Sequence, residues 1–176
     1  GAIAILDSDW APGPVAMTRA MDEAIDRARE CHVGWCIVRN ITHGGAIGYY
    51  ALQAARAGFA GIVITASRPM MAYHGSKVAG ASTNPLAIAV PGGEHPPLVL
   101  DMSTATVSMG KILAAQDSGT PIPDGWGIDA DGHKTNDANA VKTLMPLGSA
   151  KGSGLSMMIE CMVSLFASIP LVEPNI

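Results

Sequence analysis

The feature that most constrains the fold is an alternation of apolar strands and amphipathic helices at the start of the chain. Short aliphatic runs at 3–6, 35–38 and 62–65 predict three strands. Between them, apolar residues recur at helical spacing over 14–33 and 46–57. Strand–helix alternation is typical of parallel sheets, because each helix returns the chain to the edge where the previous strand began. We therefore predict an α/β fold with a mixed, mostly parallel sheet flanked by helices.

The rest of the chain departs from this alternation. The polar, glycine-containing stretch 67–85 predicts irregular structure. Strands are predicted at 86–90 and 98–100, antiparallel to each other across the turn PGGEHPP. The remaining predicted elements are a helix at 104–115, a tight turn at Asp131-Gly132 and a last apolar helix that opens at Gly152–Gly154.

Composition excludes several classes of function. The 176 residues carry a net charge of -4, which argues against a nucleic-acid binder, and 48% hydrophobic residues argue against disorder. Cysteines 31, 36 and 161 form no CxxC pair, so we expect reduced thiols, a cytoplasmic location and no metal site. The apolar stretch 155–172 contains Glu160 and Pro170, which favours a buried or interface helix over a membrane span.

A glycine-rich loop after the second strand is the first candidate for chemistry. Residues 42–48 read THGGAIG, close to the dinucleotide pattern GxGxxG, with His43 in place of the first glycine. Glycines let a helix N-terminus approach a ligand, and a histidine exchanges protons near neutral pH. The next strand is followed by Ser67-Arg68 rather than by an acidic residue that would hold a ribose, which disfavours a classical Rossmann domain.

Three further candidate sites each have an alternative explanation that involves no ligand or catalysis. Asp101 ends an apolar strand, where it faces a ligand or caps a helix that starts near Thr104. Lys151 lies between glycines before a helix and either holds a phosphate or is simply solvated. Ser108 and Lys111 match the SxxK spacing of some serine hydrolases, without the companion motifs of those enzymes. The residues alone do not choose among these alternatives.

Five longer strings follow one another in order over nearly the whole chain. They are RNITHGGAIGYYALQAARAGFAGIVIT (39–65), STNPLAIAVP (82–91), LDMSTATVSMGKI (100–112), IPDGWGID (122–129) and LMPLGSAKGSGLSMMIE (144–160). Together they resemble the malate/L-lactate dehydrogenase family of NAD(P)H-dependent 2-oxoacid reductases. That family also contains ureidoglycolate dehydrogenase and diketogulonate reductase.

The resemblance implies an oxidoreductase with an α/β fold that is not a classical Rossmann fold. Its reaction would be hydride transfer between NAD or NADP and a small 2-oxo or 2-hydroxy acid. His43 matches the residue that gives a proton to, or takes one from, the substrate oxygen. The positions that match contacts to the dinucleotide are Ser67, Asp101, Met102, Ser103 and Lys151.

Family members are longer at both ends than this chain. The resemblance therefore implies that residues 1–176 form a single cofactor-binding α/β domain, a central fragment of a longer dehydrogenase. It also implies a homodimer with the active site near the interface. The charge and the apolar stretch discussed above predict no nucleic-acid or membrane partner. The alternative is a non-catalytic dinucleotide- or partner-binding domain, which would bind cofactor without oxidising a hydroxy acid.

Overall fold

The computed structural model describes residues 1–168, which form two compact units. The first unit consists of Gly1–Ile64 and Leu86–Met102, and the second of Thr65–Pro85 and the described residues 103–168. The part of the predicted last helix at 169–172 lies outside the described residues. The assignment of residues 1–176 to a single domain stays a prediction.

Four α-helices and ten strands follow one another along the described residues, with a short 3-10 helix (Ala138–Ala140) before the last strand. In chain order they are β1 (Ile3–Asp7), α1 (Gly13–Cys31), β2 (Trp35–Arg39), α2 (Gly48–Arg56), β3 (Gly61–Ile64), β4 (Met71–Ala72), β5 (Ala79–Ala81), β6 (Leu86–Val90), β7 (Leu98–Met102), α3 (Met109–Ser118), β8 (Gly127–Ile128), β9 (Lys134–Thr135), β10 (Thr143–Leu144) and α4 (Ala150–Ala167).

The first unit contains the predicted strand–helix alternation. Strands β1 and β2 are parallel, with Ile3 opposite Trp35, and α1 connects them. A second sheet has the order β3-β6-β7, and α2 packs on it through small residues. A Cβ built on Gly61 of β3 would lie 2.6 Å from the carbonyl oxygen of Ala51, so glycine allows the helix to approach this closely. The core of this unit comprises Ile47, Tyr50, Ala51, Ala55, Val63, Ala87 and Ala89.

The second unit is built on a sheet of short strands in the order β5-β4-β10-β8-β9. Met71 and Leu144 are fully buried at its centre. The predicted turn at Asp131-Gly132 is confirmed, since it connects the antiparallel strands β8 and β9. Among the described residues, no helix is long and apolar enough to cross a membrane.

The mixed α/β class is confirmed, but the expected majority of parallel pairings is wrong. Among the described strands only β1–β2 and β4–β10 pair parallel, and every other pairing is antiparallel. No helix lies between β3 and β6 to return the chain to the edge where β3 began, so β6 pairs antiparallel with β3.

The helix predicted at 104–115 begins later, at Met109. The residues before it are held in extended contacts instead. Ala105 forms a bridge with Pro146, and the amide of Thr106 donates to the carbonyl of Met145 at 2.8 Å. Tertiary pairing therefore overrides local helical propensity over the first turn of the predicted helix.

Candidate functional site

His43 lies in the loop between β2 and α2 of the first unit, and it is exposed. The last residue of β1, Asp7, anchors the start of this loop. The side-chain amide of Asn40 donates to both carboxylate oxygens of Asp7, at 2.9 Å and 3.0 Å. These bonds, followed by one from the backbone of Asp9, lower the pKa of Asp7.

The residues on either side of His43 are fixed as well. The Thr42 hydroxyl accepts a hydrogen bond of 2.9 Å from the amide of Gly13, at the start of α1. The Tyr50 hydroxyl donates to the carbonyl of Gly44. Gly13 packs directly on the backbone of His43, where a Cβ would lie 2.1 Å from the carbonyl oxygen. The histidine is therefore presented to solvent from a loop that is held by β1, α1 and α2.

Asp101 lies in β7 and reaches the N-terminus of α2 in the same unit. Its Oδ2 accepts a hydrogen bond of 2.9 Å from the amide of Gly48. A Cβ on Gly48 would lie 2.6 Å from that oxygen, which explains the last glycine of the THGGAIG loop. The alternative in which Asp101 caps a helix near Thr104 is wrong, because the carboxylate satisfies the first amide of α2 instead. Met102, the last residue of β7, is half-buried opposite Leu86.

The other three candidates belong to the second unit. Ser67 is exposed, and its hydroxyl oxygen lies 2.7 Å from that of Ser82. Ser103 is half-buried and donates to the carbonyl of Ala105 at 3.0 Å. Lys151 is exposed in the first turn of α4. The six candidates thus divide equally between the two units.

Sequence reasoning missed a buried polar cluster in the second unit. Asn84 is completely buried, and its side-chain amide donates to Glu160 Oε2 at 2.7 Å and to the carbonyl of Ser156 at 3.0 Å. Burial raises the pKa of Glu160. One signal was available, because Glu160 is a single charged residue within an otherwise apolar helical stretch. Such a residue needs a buried hydrogen-bond partner when its helix packs in a core.

Other features of the chain do not coincide with the six candidates. Ser108 of the SxxK pattern directly precedes α3, and Lys111 is exposed in the first turn of that helix. Two clefts of about 310 and 300 Å³ are lined by other residues, around Pro121 in the second unit and around Cys36 in the first. The carboxylate of Asp129 has a structural role in its own turn, where it accepts hydrogen bonds from the backbone amides of Asp131 and His133.

Comparison with known proteins identifies the family of this chain. A model of the malate/L-lactate dehydrogenase family matches residues 1–172. The chain belongs to that family. Its relatives include a ureidoglycolate dehydrogenase named for NAD(+), a malate dehydrogenase and a sulfolactate dehydrogenase named for NADP(+).

Two relatives show how this member of the dehydrogenase family compares with others. Ureidoglycolate dehydrogenase (NAD(+)) of Escherichia coli K12 is 40% identical over 95% of this chain and 48% of its own length. L-sulfolactate dehydrogenase of Methanocaldococcus jannaschii is 39% identical over 93% of this chain and 48% of its own length. The chain therefore spans about half the length of these relatives.

A solved structure supports the same assignment. A dehydrogenase from Sinorhizobium meliloti is similar with a TM-score of 0.91 and 38% identity, over 98% of this chain and 52% of that one. The matched residues include residues of both units.

Proposed function

We propose that the protein is an NAD(P)-dependent dehydrogenase that interconverts a 2-oxo acid and a 2-hydroxy acid, with His43 as the proton donor and acceptor. The observation that carries the proposal is the exposed imidazole of His43 on its anchored loop, in a chain whose relatives are hydroxyacid dehydrogenases. The chain spans only about half the length of relatives that are named for different acids. We therefore propose the chemical class of the substrate, a 2-oxo or 2-hydroxy acid, and no individual acid.

The candidate donor set suits a dinucleotide. Hydroxyl groups such as that of Ser67 bind ribose and amide groups, and an exposed ammonium such as that of Lys151 neutralises phosphate. Asp101 uses Oδ2 to bind Gly48, which leaves its second carboxylate oxygen for a ribose hydroxyl. Met102 and Ser103 complete the proposed set, from the strand end and from the segment that follows it.

His43 would carry the proton of the reaction. When bound, the nicotinamide supplies or accepts the hydride at the second carbon of the acid. In the reductive direction, the imidazolium of His43 gives its proton to the carbonyl oxygen, and the product is the hydroxy acid. In the oxidative direction, the neutral imidazole takes the hydroxyl proton. The hydrogen bonds of Thr42 and Tyr50 hold the loop backbone from which the imidazole projects.

Binding of NADH and NADPH tests the cofactor assignment directly. We expect saturable quenching of tryptophan fluorescence and energy transfer to the nicotinamide on titration with at least one of them. Lys151→Ala is expected to weaken that binding roughly tenfold to a hundredfold, as for loss of a charge-assisted hydrogen bond to phosphate. Lys142→Ala is the matched control, because Lys142 is another exposed lysine of the second unit. Equal weakening by both substitutions would show that only net charge matters, and a flat titration would contradict cofactor binding.

We also propose that the protein is a cytoplasmic homodimer. The face of the β3-β6-β7 sheet opposite α2 carries aliphatic side chains that are open to solvent, including Ile62 (64% exposed), Leu98 (74%) and Leu100 (45%). Ile62 and Leu100 lie in register on either side of Ile88, so their side chains form one continuous patch. A patch of this kind is unusual on a monomer and supports self-association through a second copy. The cytoplasmic assignment is supported by three free cysteines.

The dimer proposal is tested by light scattering after size exclusion. We expect a dimer at micromolar concentration and a shift to monomer for Ile62→Lys, because a charge at the centre of an apolar interface must be desolvated. Val78→Lys is the control, since Val78 is 69% exposed but belongs to the second unit. A monomeric unmodified protein, or a dimer that survives Ile62→Lys, would contradict the use of this face.

A further inference from the structure

We infer that the three consecutive residues Ser82, Thr83 and Asn84 form a positioning segment. This segment fixes the positions of the backbone or side chains of the three cofactor-binding candidates in the second unit, which are Ser67, Ser103 and Lys151. The inference rests on the proposed function, since it assigns the support of the same site. The Ser82 hydroxyl, the Thr83 carbonyl and the Asn84 side chain contact three different parts of the unit, and each of those parts carries one candidate. Ser82 and Asn84 are buried, and none of the three is itself proposed to touch the cofactor.

Ser82 supports Ser67. Their hydroxyl oxygens lie 2.7 Å apart, and Ser82 is buried whereas Ser67 is exposed. A hydroxyl that donates to Ser82 has its lone pairs free for a ligand donor, and one that accepts from Ser82 has its hydrogen free for a ligand acceptor. The buried hydroxyl therefore determines both the rotamer of Ser67 and the hydrogen-bonding role that its oxygen presents.

Thr83 supports the segment that contains Ser103. The carbonyl oxygen of Thr83 accepts two hydrogen bonds from Thr104, one of 2.9 Å from its amide and one of 2.8 Å from its hydroxyl. Thr104 is completely buried and directly follows Ser103. With both donors of Thr104 fixed to one carbonyl, the backbone on which Ser103 sits has little freedom to shift.

Asn84 supports α4, the helix that begins beside Lys151. Its amide group reaches two successive turns of the helix, at Ser156 and at Glu160. The Ser156 hydroxyl in turn donates to the carbonyl of Ser82 at 3.2 Å, which closes the network on the same segment. The backbone of α4, which carries Lys151 in its first turn, is therefore held to the segment at two successive turns.

The backbone of the segment is also set locally. Asn84 has a left-handed φ of 27°, a region that asparagine tolerates better than most residues, and Pro85 follows it. Ser67 lies 15 positions before Ser82 and Ser156 lies 74 positions after it, and the hydroxyl groups of both contact Ser82. Positioning by a rigid buried network is what a binding site needs from the residues behind it.

A double-mutant cycle between Ser67 and Ser82 tests the inference. Ser82→Ala, Ser67→Ala and the double variant are titrated with NADH and NADPH, and the midpoint of thermal unfolding is measured for each. We expect Ser82→Ala to raise Kd about threefold to tenfold, as for loss of one hydrogen bond. We expect no further rise when Ser82→Ala is added to Ser67→Ala, because Ser82 acts on the cofactor only through Ser67.

Ser118→Ala is the matched control for this cycle. Ser118 and Thr120 form another hydroxyl pair in the second unit, at 2.9 Å, and we expect its loss to leave Kd unchanged. An unchanged Kd for Ser82→Ala, or an equal rise in both backgrounds, would overturn the positioning role while leaving the proposed function intact. If the unmodified protein binds neither cofactor, the proposed function fails and the inference fails with it.

Discussion

His43→Ala is expected to lower kcat/KM for 2-oxoacid reduction by about 10²- to 10⁴-fold while leaving the affinity for NAD(P)H unchanged. Alanine removes the group that gives a proton to the carbonyl oxygen, and water must take its place. The cofactor contacts proposed above come from other residues, so binding and chemistry are expected to separate. Steady-state kinetics with several 2-oxo acids and a fluorescence titration measure the two quantities on the same sample.

His95→Ala serves as the control for that substitution. His95 is an exposed histidine of the same unit, in the turn between β6 and β7, and its loss is expected to leave turnover unchanged. A variant at His43 that keeps full kcat/KM would remove His43 from the mechanism. A parallel loss of cofactor affinity would assign His43 to binding instead of proton transfer.

Gly13→Ala is expected to reduce kcat/KM by roughly tenfold to a hundredfold although the side chain touches no substrate. The new Cβ would lie 2.1 Å from the carbonyl oxygen of His43 and 2.8 Å from the Cα of Gly44, so the histidine loop must move. Both neighbours are backbone atoms, which cannot rotate away as a side chain can. We also expect the free energy of unfolding to fall by about 2 kcal/mol, as for other overpacked sites.

Gly154→Ala is the matched control, because an added Cβ there meets nothing within 4 Å. Within helix α4 that change is expected to raise the free energy of unfolding by about 0.5–1 kcal/mol through helix propensity. If Gly13→Ala keeps full activity, contact with Gly13 does not position His43. If it loses activity without a shift in thermal unfolding, the loop moves more easily than its hydrogen bonds suggest.

Elements were predictable where local pattern decides them. The strands and helices from β1 to β3 follow from the spacing of apolar residues, and β6 was predicted with its observed bounds. The direction of β3 against β6 was not predictable, because it depends on where the chain goes over residues 65–85. The late start of α3 has a similar cause, since residues 105 and 106 pair with a segment that lies about 40 positions away.

In the candidate site too, local pattern was sufficient for some residues, whereas others depend on contacts that are distant in sequence. His43 was proposed from a local glycine pattern, and its exposed position in a loop is compatible with that proposal. The contact of Asp101 with Gly48 was not predictable from local pattern, because Gly48 lies 53 positions away. Asn84 was overlooked because its meaning depends on Glu160, which lies 76 positions later in the chain. Local pattern identifies residues that can do chemistry, and distant pairing decides what supports them.

The interruption of the first unit by residues 65–85 affects the order in which the protein can fold during synthesis. As the chain leaves the ribosome, β3 appears before its partner β6, and the 21 residues between them belong to the other unit. The edge of β3 stays unpaired during that interval, and an open edge is a template for wrong pairing. The Asn84–Glu160 contact must then wait for another 76 residues. Pairings this distant slow folding, so the nascent chain is expected to depend on chaperones more than a protein with local contacts.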